Sequence, residues 1–62
     1  MRRERFDELL EEVSRRINIP KEVLEEKVKK MIRRCGGLIT KRGALMLVLK
    51  ENDWFEKCKD LF

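Results

Sequence analysis

Histidine, glutamine and tyrosine are missing from this 62-residue chain, and proline, serine, threonine and tryptophan occur once each, as Pro20, Ser14, Thr40 and Trp54. Without histidine there is no imidazole general base, and Cys35 and Cys58 alone cannot complete a tetrahedral zinc site. The single serine stands among charged residues, and no glycine-rich phosphate loop of the required spacing is present. The carboxylate pairs Glu11-Glu12 and Glu25-Glu26 are neighbours along exposed helix, not groups opposed across a cleft that could shift a pKa. The chain therefore reads as non-enzymatic, with no cofactor, no metal and no small-molecule substrate expected.

Long apolar runs are also lacking. The longest is Ala44 to Leu49, six residues, against the roughly 18 that a membrane span needs. No apolar stretch follows the N-terminal arginines, so neither a span nor a secretory signal is expected, and the reading is a cytoplasmic protein. No flexible linker divides the chain, so residues 1–62 form one small domain, near the lower size limit for a single unstapled core. Charged residues make up 45% of the chain and amides are limited to Asn18 and Asn52, the usage of a thermophilic source. The two cysteines are either free buried thiols or, in such a source, a disulfide.

A third absence carries the functional signal. Between Lys27 and Lys50 there is no acidic residue, but there are eight basic ones: Lys27, Lys29, Lys30, Arg33, Arg34, Lys41, Arg42 and Lys50. Residues 1–17 hold five cations against five anions and residues 51–62 hold two against four, so the formal charge of +4 has a definite address. A polyanion or an acidic protein surface is the natural partner of such a stretch.

What is present reads as an all-α bundle of about four short helices. Phe6, Leu9, Leu10, Val13 and Ile17 recur at helical spacing and predict a first helix from about Arg3 to Ile17. Pro20 suits the first position of a second helix, which carries Leu24, Val28, Met31 and Cys35 on one stripe and stops at Gly36-Gly37. Thr40 can cap a third helix over residues 41–49, rich in good helix formers. The rival reading of residues 38–49 is a hairpin turning at Lys41-Arg42-Gly43, which would make the fold winged-helix-like. Asp53 and Glu56 have capping-box-like spacing for a last helix, with Trp54, Phe55, Cys58, Leu61 and Phe62 on its apolar side.

On the second helix, Glu25 and Glu26 precede Lys29 and Lys30 by four residues and partly neutralise them. The uncompensated cations are then Lys27, Arg33, Arg34, Lys41 and Arg42, the candidate nucleic-acid-binding residues. A solvated helix face is the competing reading of any such run. Ala44 to Leu49 would be apolar all round a helix, which makes it either the central core helix or a source of surplus apolar surface. In the second case Leu45, Met46, Leu49, Trp54, Phe55 and Phe62 are candidate partner-binding residues for a second copy of the chain, giving a homodimer, or for another protein.

Residues 19–28, Ile19-Pro20-Lys21-Glu22-Val23-Leu24-Glu25-Glu26-Lys27-Val28, followed by Gly36-Gly37-Leu38-Ile39-Thr40 and Gly43-Ala44-Leu45, resemble the helical module beside the single-stranded-DNA-binding OB folds of archaeal replication protein A. The resemblance covers about half the chain, and Gly-Gly-Leu-Ile-Thr followed by Gly-Ala is its most specific part. It implies an archaeal source and a DNA replication or repair setting, with nucleic acid or a replication protein as partner. The family's module tends to be acidic where this chain is basic, and none of the family's DNA-contacting OB-fold residues maps onto residues 1–62.

Overall fold

The computed structural model describes residues 5–62, and among them the regular structure is helical, with no strand. The elements are α1 (Arg5–Ile17), α2 (Lys21–Arg34), α3 (Lys41–Glu51) and the single turn α4 (Phe55–Cys58), which runs into a 3₁₀ turn at Lys59–Leu61. This is the expected bundle of about four short helices. The hairpin alternative is excluded, because Lys41, Arg42 and Gly43 form the first turn of α3. The expected beginning of the first helix at Arg3 lies outside the described residues.

α1 and α2 bury the stripes their spacing defines, and α3 buries one side of its unbroken apolar run. Leu10, Val13 and Ile17 of α1, Leu24, Val28 and Met31 of α2, and Ala44, Leu45, Val48 and Leu49 of α3 meet in one core, closed from the C-terminal side by Cys58. Phe6, Leu9, Ile19, Ile32, Cys35, Ile39, Trp54, Phe55, Leu61 and Phe62 pack around it, half-buried. α2 and α3 form the principal pair, while α1 packs on α2 and α4. Of the run Ala44–Leu49, Ala44, Leu45, Val48 and Leu49 are buried, Met46 is half-buried and Leu47 faces solvent, so α3 gives one side to the core. A Cα radius of gyration of 11.0 Å is what a single folded domain of this length gives.

All three long helices stop through the same backbone device. The residue after each cap turns left-handed, namely Asn18 (φ 57°), Gly36 (φ 65°) and Asp53 (φ 59°). The next N–H then reaches back five residues, from Ile19 to Ser14, from Gly37 to Ile32 and from Trp54 to Leu49, at 3.2, 2.9 and 2.8 Å. These are Schellman closures, which satisfy carbonyls that the helix end would otherwise leave unpaired. Ser14 Oγ also donates to the Ile19 carbonyl, and Asn52 Nδ2 to that of Val48 at 2.9 Å, fastening two of these ends further.

Two capping expectations are corrected. Asp53 closes α3 with its backbone and does not cap α4, whose preceding residue Trp54 makes no side-chain cap bond. Pro20 sits just before α2, not at its first position, and its carbonyl accepts from Val23 and Leu24. The Thr40 cap is as expected: its Oγ1 accepts from Gly43 N–H at 3.0 Å. Cys35 and Cys58 are both free, Cys35 half-buried and Cys58 fully buried.

Candidate nucleic-acid interface

The five candidate cations all stay out of the core, but the fold does not set them on one face. Arg33, Arg34, Lys41 and Arg42 are exposed and Lys27 is half-buried. Lys27, Lys30 and Arg34 line a groove between α2 and α3 with Met31 and Val48 beneath and Glu51 and Asn52 on the far side. Lys41 lies on a second groove with Lys29, where Phe6, Val28 and Ile32 supply the apolar lining and Asp7 and Glu25 add acid. Arg42 borders a third, with Arg5, Phe6, Leu9 and Leu61. A stretch continuous in sequence is therefore divided around the α2–α3 pair.

Local partners also differ from those the spacing suggested. Among the described residues, neither Glu25–Lys29 nor Glu26–Lys30 closes to an ion pair, and Lys29 and Lys30 are exposed. Arg34 instead pairs across the groove with Glu51 at 3.4 Å. Pairs four apart on a solvated helix gain only a few tenths of a kcal/mol, too little to hold two long side chains together. Lys41 Nζ lies 5.9 Å from the centre of the Phe6 ring. The Arg42 guanidinium lies 5.7 Å from that of Phe62 and also donates to the Leu61 carbonyl at 3.4 Å.

Those ring contacts bear on what the surface can bind. Lys50 covers Phe55 in the same way at 5.1 Å, and Phe55 and Phe62 pack together at 5.9 Å between centroids. Every phenylalanine is half-buried and faced by a cation, and Trp54 is half-buried against the core. The exposed ammonium and guanidinium groups can attract anionic groups.

The candidate partner-binding residues need a sharper correction. Leu45 and Leu49 are 0% exposed and cannot touch a partner without unfolding α3. Met46, Trp54, Phe55 and Phe62 are half-buried, and the last three pack against the core. The apolar side chains that do face solvent are Val23, Leu47 and above all Leu38. An unbroken apolar run gives no period, so the sequence could not say that Leu47 is the outward member of Ala44–Leu49.

The sequence also gave no sign of a clamp at Arg16. Its Nη1 bonds Asp60 Oδ1 at 2.6 Å and the Lys57 carbonyl at 3.2 Å, while its Nε bonds Glu12 Oε1 at 3.1 Å. Arg15 also pairs with Glu12. Hydrogen bonds from Arg16 hold the carboxyls of both Glu12 and Asp60 below their ordinary values. Burial pushes the Cys58 thiol up. Among the described residues no three His, Cys, Asp or Glu side chains converge as metal ligands would, and no helix is long and apolar enough to cross a membrane.

Comparison of the chain with protein-family models, with curated proteins and with solved structures found no match.

Proposed function

We propose that the chain is a small non-catalytic helical module, of cytoplasmic and archaeal thermophilic setting, that holds the backbone of nucleic acid during DNA replication or repair. The observation that carries this reading is the acid-free stretch from Lys27 to Lys50, whose cations stay at the surface of the α2–α3 pair while the apolar residues between them build the core. Lys27, Arg33, Arg34, Lys41 and Arg42 are the groups that would meet phosphates, and Lys29 and Lys30 add to them. Half-buried phenylalanines faced by cations favour backbone contact over base stacking.

The alternative is a protein-interaction or self-association module serving a replication protein. Its support is weaker, because two of its six anchor residues, Leu45 and Leu49, are spent on the core.

Titration of the chain with short duplexes at several salt concentrations tests the proposal. Affinity should fall steeply with salt and vary little with sequence, and each phosphate contact should contribute about 0.9 to the slope of log K against log salt. Replacing Arg33, Arg34, Lys41 and Arg42 by Ala should reduce both affinity and slope while the helical circular dichroism spectrum is retained. Absence of binding at low salt, or equal binding by the variant, would overturn it.

A further inference from the structure

Among the described residues, the turn between α2 and α3 carries the large apolar side chain least covered by the fold. Leu38 is 91% exposed, against 41% for both Val23 and Leu47. The turn is well fastened. Gly36 donates to Arg33, Gly37 to Ile32 and Leu38 to Cys35, at 3.0, 2.9 and 3.3 Å. Ile39 packs against the core, and Thr40 caps α3 directly afterwards. Leu38 is thus held outward between bonded neighbours. A Cβ added at Gly36 or Gly37 would meet nothing within 4 Å, so the approach to the turn is open.

A leucine presented in this way gains no burial from the fold. Its neighbours along the chain are basic, with exposed Arg33 and Arg34 before it and exposed Lys41 and Arg42 after it, Arg34 pairing with Glu51 and Arg42 lying over the Phe62 ring. The complementary partner has an apolar slot set within an anionic surface. A DNA duplex has that form: phosphates border the groove, and flexible pyrimidine–purine steps unstack to admit an apolar wedge from the minor groove. Single strands are commonly gripped by stacking on open aromatic rings, and the phenylalanines here are faced by cations.

The structure assigns to Leu38 the role of a wedge that enters a base-pair step of duplex DNA from the minor groove, with Arg33, Arg34, Lys41 and Arg42 on the phosphates to either side. This rests on the backbone-binding reading above and adds to it a base-step contact and a bend.

The full chain, its Leu38→Ala variant and its Leu38→Phe variant are titrated into a short duplex that carries 2-aminopurine at a TA step and a fluorophore pair at its ends. Wild type should raise 2-aminopurine fluorescence and shorten the end-to-end distance, and Leu38→Phe should retain both effects. Leu38→Ala should lose both while keeping the salt slope and the helical spectrum, since the residue packs on nothing in the core. Binding by wild type with no unstacking, or unstacking by Leu38→Ala equal to wild type, overturns the wedge and leaves backbone binding standing. Failure of wild type to bind the duplex at low salt overturns both, and Leu38-dependent binding to phosphatidylserine vesicles in its place would identify a membrane surface as the partner.

Discussion

Arg16 joins α1 to the C-terminal segment through Asp60 and the Lys57 carbonyl, so its removal should be felt at the far end of the chain. Arg16→Ala should speed amide exchange over residues 57–62 and leave α2 and α3 protected. The same contact sets an acid dependence. Because the Glu12 and Asp60 carboxyls are held low in the folded chain, the unfolded chain takes up protons first as pH falls. Their stabilisation is present above the ordinary carboxylate range and is lost as pH drops through the lowered values. Thermal midpoints should therefore be level near neutrality and decline in acid, and the decline should be shallower in Asp60→Asn. At the other extreme of burial, Leu45→Ala should cost about 2–5 kcal/mol. A chain of this length has about 3–9 kcal/mol in all, at roughly 0.05–0.15 kcal/mol per residue, so that variant should lose roughly half of its stability, read as a lowered denaturant midpoint. Leu47→Ala, on the exposed side of the same helix, should stay within about 0.5 kcal/mol of wild type.

At the level of elements, the helix ends are where local sequence and backbone agree most closely. Thr40→Ala should cost about 1 kcal/mol through loss of the α3 cap. Gly36→Ala places a Cβ on a left-handed residue with nothing beside it, so its cost should be the backbone term alone, about 1–2 kcal/mol by denaturant titration. α1 and α2 were legible because their apolar residues are spaced three and four apart and each run ends in a residue suited to left-handed backbone. The Asp53 closure was not, since aspartate before an apolar segment reads equally well as a cap for the next helix. What decides between them is Trp54, whose N–H reaches back to Leu49 and turns the chain before α4 begins. The buried and exposed sides of α3 were illegible for a different reason: six apolar residues in succession contain no period, and only packing against α2 on one side and the C-terminal segment on the other makes Leu47 the outward one.

For the whole molecule, the sequence located the charge but not its arrangement in space. Lys27 to Arg42 form one block along the chain, yet the fold turns between Arg34 and Lys41 and distributes the block over three grooves. Spacing within a helix also cannot reveal a partner on another element, which is why Glu51 beside Arg34 and the phenylalanines beside Lys41 and Arg42 were missed. Among the described residues apolar exposure is limited to scattered side chains, whereas a stable dimer buries about 800 Å² on each partner. Sedimentation equilibrium of the free chain should accordingly give a monomer, and a tight dimer would point back to an apolar docking face. The central claim, that the α2–α3 cations hold nucleic-acid backbone, is met most directly by amide chemical-shift mapping with a short duplex at low salt. Perturbations should concentrate in residues 27–42, which reach into the start of α3, and should collapse when salt is raised. Perturbations confined to α1 and α4, or none at any salt concentration, would contradict it.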